Sequence, residues 1–226
     1  MDNRTEYFLL LADLGRSTSL KPKAAEAVMS ALRDELASAN SLLSDVLVSD
    51  LVINYGDEFA GLFRRAAPLY DLVSRLRHAL RELATFRFVV ARGRVGDASG
   101  ALREMGGPVF KRANDALRSL KTSDRFSAWM TGSSLRDQTL DALTNIAHAV
   151  IMDMTRHQYA SFHLLSQDLL QIDIADRLGK TPQSVSLALK RAHGQAVIDA
   201  EGVIRALLRE ADQQYMIDLG ETPKND

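Results

Sequence analysis

The feature that most constrains this chain is a glycine with a small residue four positions before it and a β-branched residue six positions after it. In the run Asp173, Ile174, Ala175, Asp176, Arg177, Leu178, Gly179, Lys180, Thr181, Pro182, Gln183, Ser184, Val185, Ser186, these are Ala175, Gly179 and Val185. Two short helices that cross closely leave room for only a small side chain at Ala175. Gly179 carries the backbone through the turn at little steric cost, and Val185 fills the space between the helices. Ile174, Leu178, Ala188 and Leu189 complete the apolar face. Thr181 suits an N-cap and Pro182 a first helical position, so the second helix has a defined start. The spacing predicts a helix-turn-helix over residues 167–193.

The outward residues of that second helix would be Gln183, Ser184, Ser186, Leu187, Lys190 and Arg191. From Arg177 to Arg191 there are four cations, Arg177, Lys180, Lys190 and Arg191, and no acidic residue, although Asp168, Asp173 and Asp176 lie just upstream. The net charge of the whole chain is −1, so contact with nucleic acid has to come from such a local patch. The candidate DNA-contacting residues are therefore Thr181, Gln183, Ser184, Ser186, Lys190 and Arg191. The alternative is a helical hairpin used only for packing.

Upstream the pattern is different. Residues 7–11 form an aromatic and aliphatic run that stops at Asp13, Gly15 and Ser17, as a buried strand ending in a polar loop would. Apolar positions recur at helical spacing over residues 22–39 and again over 68–83. Between them, residues 46–53 and 59–63 read as strands joined by the short link Asn54, Tyr55, Gly56, Asp57, Glu58, which predicts a hairpin. A fourth strand follows over 86–95, then a glycine-rich loop, a helix from Pro108 to about Leu120, and a short strand near 126–130. This order predicts an α+β domain, a sheet with helices on one side close to the ferredoxin-like arrangement. After Ser133 everything reads as helix, including an apolar stripe of Leu143, Ile146, Ala147, Val150 and Met154 that is long enough for a dimer seam. The expected division is a first domain over residues 1–132, an all-α domain with the helix-turn-helix over 133–219, and a disordered polar tail over 220–226. With no cysteine and no signal-peptide or membrane-spanning run, a cytoplasmic homodimer with no membrane attachment is expected.

Asp13 ends the first strand, and Asp57 and Glu58 sit at the hairpin tip. If those strands are neighbours, Asp13 and Asp57 can face one spot and share Mg²⁺ ions with a triphosphate. A hairpin tip also needs Gly56 for backbone reasons alone, and acidic residues are common in loops. From Arg87 to Arg125 nine Lys or Arg face four Asp or Glu, a net of +5, which reads as a phosphate-binding surface or as a solvated strand face and helix flank. On the first of these readings Ser17, Gly56, Arg92, Arg94 and Arg112 are the candidate nucleotide-binding residues.

The segments Ala12 to Ser17, Gly56 to Leu62, Arg92 to Gly96 and Gly107 to Ala113, followed by a C-terminal helix-turn-helix, resemble the SatD family over most of the chain. The first two segments are more distantly similar to class III nucleotide cyclases and diguanylate cyclase domains. That resemblance implies a nucleotide-cyclase-like palm with Asp13 and Asp57, and less strongly Glu58, as metal ligands, and Mg²⁺ or Mn²⁺ with a nucleotide as the cofactors. The departures are specific. Tyr55 stands where a diguanylate cyclase has a glycine, and Ile53, Phe110 and Asn114 stand where class III enzymes carry a base-reading lysine, an asparagine and an arginine. The expectation is a DNA-binding transcriptional regulator whose degenerate palm senses a nucleotide or supplies a dimer interface, with no catalytic residue. The alternative is an active nucleotidyl cyclase carrying an accessory helix-turn-helix.

Overall fold

The computed structural model describes residues 5–15, 21–54, 56–96, 98 and 100–219. The chain divides into two compact units, Met1–Asp141 together with Ala206–Asp226, and Ala142–Arg205. The division falls after Asp141 and not at Gly132, and the end of the last helix belongs with the first unit, so that unit is discontinuous in sequence. Periodicity marks where a helix runs but not which core its face enters. The tail expected to be disordered, 220–226, lies outside the described residues, as do Ser17 and Tyr55. Among the described residues no helix is long and apolar enough to cross a membrane.

The first unit is built on a five-stranded sheet. Its elements in chain order are β1 (Tyr7–Gly15), α1 (Pro22–Leu42), β2 (Leu47–Ile53), β3 (Glu58–Phe63), α2 (Leu69–Leu80), β4 (Thr85–Gly93), α3 (Pro108–Lys121) and β5 (Ser127–Met130). The strand order is β2-β3-β1-β4-β5; β1 pairs antiparallel with both β3 and β4, and β5 joins parallel to β4. The first four strands with α1 and α2 are a β-α-β-β-α-β unit with the split arrangement of the ferredoxin-like class. The hairpin between β2 and β3 turns through Gly56, whose φ of 59° is a left-handed conformation that glycine adopts without strain.

Every residue of β1 from Phe8 to Leu14 is buried, so both faces of the sheet are covered. Leu9 and Leu11 pack with Val89, Ala91, Val109, Ala113, Leu117 and Leu120, which places α3 over one face. Phe8, Leu10 and Leu14 point the other way, toward the layer of α1 and α2. The expectation of helices on one side is corrected by α3, which crosses over the opposite face to bring β5 in beside β4.

Both sheet edges are closed by side chains. On β2, the Asn40 amide donates to Leu51 O at 3.0 Å and accepts Leu51 N–H at 2.8 Å, standing in for a missing strand. On β5, Trp129 N–H donates to Asp141 Oδ1 at 2.8 Å and Thr131 N–H to Asp137 Oδ1 at 2.7 Å. Both carboxylates come from the first half of α4 (Ser134–Asp153). Side chains that take up edge hydrogen-bonding groups in this way blunt an edge against pairing with another chain.

The second unit holds the rest of α4, then α5 (Arg156–Leu165), α6 (Gln171–Leu178), α7 (Pro182–Arg191) and the first half of α8 (Gly194–Asp218). Its core joins Ala147, Ile151, Met154, Phe162, Ile174, Ala175, Val185, Leu189, Ala192 and Val197. The stripe expected to form a dimer seam is therefore largely spent here. Ala147 and Met154 are buried, Val150 packs against the same core, and Ile146 alone of the five is widely exposed, at 62%. An apolar stripe on a helix does not say whether it meets its own chain or a second copy.

Candidate functional site

Two places gather the residues singled out by sequence, one in each unit. In the second unit α6 ends at Gly179, whose φ of 60° and ψ of 43° are left-handed, and Lys180 N–H returns to Ala175 O at 2.9 Å. This is a tight helix C-terminus that a side chain would strain. The next helix begins at once, because Thr181 Oγ1 accepts Ser184 N–H at 3.2 Å and Pro182 opens α7. Ala175 and Val185 are buried where the two helices meet, and α5 packs on both. One side of α7 is thereby committed to the core through Val185, Ala188 and Leu189.

The other side is exposed. Gln183, Ser186, Leu187, Lys190 and Arg191 all face solvent. Gln171, Pro182, Gln183, Ser186, Leu187 and Lys190 line an open groove of about 450 Å³. Two of the expected contact residues have local tasks instead. Thr181 caps the helix, and Ser184 is half-buried with its hydroxyl 3.3 Å from His157 Nε2 on α5. Ser184 is the third residue of α7, and at that point the helix turns it back toward α5; polar residue type alone does not reveal this.

In the first unit two of the three acidic residues expected there, Asp13 and Glu58, come together. The β1–β3 ladder sets Glu58 directly opposite Asp13, while Asp57 sits at the hairpin tip with its carbonyl accepting Leu14 N–H at 3.1 Å. Asp13 is 7% exposed. Like charges directly opposite in a ladder repel. Lys121, the last residue of α3, resolves this: its Nζ lies 2.8 Å from Asp13 Oδ1 and 3.3 Å from Glu58 Oε1. Burial works against charge on the Lys121 ammonium, but the hydrogen bonds and charges of Asp13 and Glu58 outweigh it, and the pKa is raised above the ordinary lysine value. A divalent ion needs several oxygen ligands facing one open point. Among the described residues no group of three Asp, Glu, His or Cys side chains is placed to hold one, and an ammonium bridges the pair that does meet. The donor set as it stands does not fit Mg²⁺ or Mn²⁺. Lys121 escaped the sequence reading because only the packing of α3 across the sheet brings it to Asp13.

The expected nucleotide-binding residues are divided as well. In the antiparallel β1–β4 ladder Arg87 stands opposite Asp13, whereas Arg92 stands opposite Phe8, five residues along. At roughly 3.4 Å per residue that is about 17 Å. Gly56 stays near the acidic residues, and Ser17 lies outside the described residues. Arg92 is committed to a clamp. Its guanidinium is 2.8 Å from Glu6 Oε2 and 3.3 Å from Asp218 Oδ2, and it lies 4.4 Å from the centre of the Tyr215 ring. Tyr215 Oη in turn donates to Glu6 O and accepts Glu6 N–H, each at 2.7 Å, which fastens the end of α8 to the start of β1. Arg112 donates to Arg92 O at 3.0 Å, and Arg94 is exposed just past β4. These arginines are on the far end of the sheet from Asp13 because β4 runs antiparallel to β1. Phe110 and Asn114 face each other along α3, the Asn114 amide donating to Phe110 O at 2.9 Å.

No protein-family model and no curated protein matches the chain. Among solved structures, the guanylyl cyclase Cya2 is similar at 15% identity and a TM-score of 0.41, covering 51% of this chain and 70% of the cyclase. A regulator of polyketide synthase expression from Bifidobacterium adolescentis is similar at 14% identity and a TM-score of 0.23, covering 90% of this chain and 86% of the regulator.

Proposed function

We propose that this chain is a cytoplasmic DNA-binding regulator, that α7 is its recognition helix, and that the cyclase-like first unit is not catalytic. The observation that carries the reading is the division of labour on α7. Its inner side is fully used by the core, while Gln183, Ser186, Leu187, Lys190 and Arg191 stand outward on a helix with a capped start and a tight entry turn. Such a helix can enter a major groove with its N-terminal residues on base edges and its C-terminal cations on phosphates.

Every cation withdrawn from a phosphate lowers the slope of log affinity against log salt by about 0.9. The Lys190→Ala, Arg191→Ala double variant is therefore expected to bind duplex DNA more weakly than the unaltered chain and with a slope shallower by about two, measured by fluorescence anisotropy across a salt series. Identical slopes for the two proteins would remove α7 from the interface.

The non-catalytic reading of the first unit rests on two features. An ammonium bridges the acidic pair, and Arg92, one of the arginines that would meet phosphate, stands about 17 Å away along the sheet. Loss of a single donor aimed at the developing charge of a transition state costs about 10²–10³ in rate. Incubation with each nucleoside triphosphate and Mn²⁺ is expected to give no cyclic product above background. Robust product formation that disappears in Asp57→Ala would establish the cyclase instead.

A further inference from the structure

We infer that the exposed face of α7 selects A·T base pairs, with the Gln183 amide taking an adenine and Leu187 taking the methyl group of a thymine. This rests on the DNA-binding reading above and adds to it the class of sequence recognised.

Gln183 and Leu187 are one turn apart on the same helix and line one groove with Ser186 and Lys190. At four residues' separation their side chains are neighbours and would meet adjacent base pairs. Leu187 is 47% exposed, while Val185, Ala188 and Leu189 already supply the apolar side of α7. A lone exposed leucine is ordinary on a protein surface. Its position is what counts, because it is the apolar member of an otherwise polar stripe leading from the helix start. In the major groove adenine presents an acceptor at N7 and a donor at N6, which a glutamine amide matches with two hydrogen bonds, and thymine presents its C5 methyl to an apolar side chain.

The chemistry for G·C pairs is missing from the same stretch. Guanine is read by Arg or Lys at O6 and N7, and cytosine by Asp or Glu at N4. From Pro182 to Leu189 the chain carries no charged residue. Within α7 the cations Lys190 and Arg191 come only in the last turn, and Lys180 is exposed in the turn before the helix; at these two ends of the helix they are assigned to phosphates, with base edges left to the residues between. Ser186 can donate or accept and so does not discriminate. No carboxylate is among the groove-lining residues, and Asp173 and Asp176 are exposed on α6.

The test is selection of bound duplexes from a random pool with the full chain, followed by affinity measurements on the enriched duplex. The expected motif has an A·T pair at the position whose preference is lost in Gln183→Ala, with about a tenfold penalty for G·C there in the unaltered protein. Replacing thymine by deoxyuridine at the neighbouring pair removes only the methyl group. It should weaken binding about fourfold in the unaltered protein, the worth of one buried methylene-sized group, and leave Leu187→Ala unaffected. Both side chains are exposed, so neither variant is expected to perturb folding. A G·C pair at the Gln183-dependent position, or equal affinity for thymine and deoxyuridine duplexes, overturns the inference while DNA binding stands. A chain that retains no duplex from the pool at low salt overturns the DNA-binding reading beneath it.

Discussion

Val185→Asp is expected to abolish DNA binding at every salt concentration and to remove the cooperative melting of the second unit. Val185 is fully buried in a core shared with Ala147, Ile151, Met154, Phe162, Ile174, Ala175 and Leu189. None of those side chains can donate a hydrogen bond, so an aspartate there would be an ionised group without a partner. Burying such a charge costs several kcal/mol even after relaxation. A unit of this size is stabilised by only about 5 kcal/mol, which is of the same order. Val185→Ala removes two methyl groups without adding charge and should cost about 2 kcal/mol, lowering the melting temperature while leaving the contact face of α7 in place. Circular dichroism melts of both variants, beside anisotropy titrations, check this. If Val185→Asp melted and bound like the unaltered protein, Val185 would not be the plug between α6 and α7.

Lys121→Met is expected to destabilise the first unit at neutral pH, and the loss should shrink at strongly alkaline pH. The substitution leaves Asp13 and Glu58 facing each other across the β1–β3 ladder with no cation between them. Breaking a fully buried ion pair costs about 3–5 kcal/mol. The Lys121 side chain is 40% exposed, so solvent screening reduces the expected loss to about 1–2 kcal/mol. The pH dependence has a definite sign. The Lys121 pKa is raised in the folded protein, so its contribution is fully present below the ordinary lysine range and is lost as pH rises through and above that range. In Lys121→Met that contribution is absent at every pH, so the two proteins should converge in stability only at strongly alkaline pH. Lys121→Arg keeps the charge and should recover part of the stability. Millimolar Mn²⁺ is expected to raise the melting temperature of Lys121→Met and to leave that of the unaltered protein in place, because the divalent ion can enter only where the ammonium is gone. Denaturant titrations from pH 5 to pH 11, with and without Mn²⁺, measure all of this. A Lys121→Met protein as stable as the original at neutral pH would show that the bridge contributes nothing.

What could be read from sequence and what could not separates along a physical line. The β-α-β-β-α-β order, the hairpin around Gly56, the α7 start at Thr181 and Pro182, and the left-handed Gly179 are local consequences of residue type and spacing. Backbone conformation and side-chain period are decided over a few neighbouring residues, and the sequence alone determines them. Most of the outward set on α7 was legible for the same reason, because a helix whose inner side is fixed by Val185 and Leu189 has its outer side fixed too; Ser184 was the exception, turned back toward α5. Other features depended on contacts between residues far apart in the chain. Strand pairing separated Arg92 from Asp13 by five residues along β1. The crossing of α3 over the second sheet face delivered Lys121 to the two carboxylates. The return of α8 tied Tyr215 to Glu6, at the opposite end of the sequence, and Asp218 to Arg92, more than a hundred residues upstream. No spacing rule links positions 13, 58 and 121, because only the tertiary packing sets the distance between them. The sequence by itself determined the two helices and their exposed face, and the tertiary structure decided that the acidic pair in the sheet already holds a cation of its own.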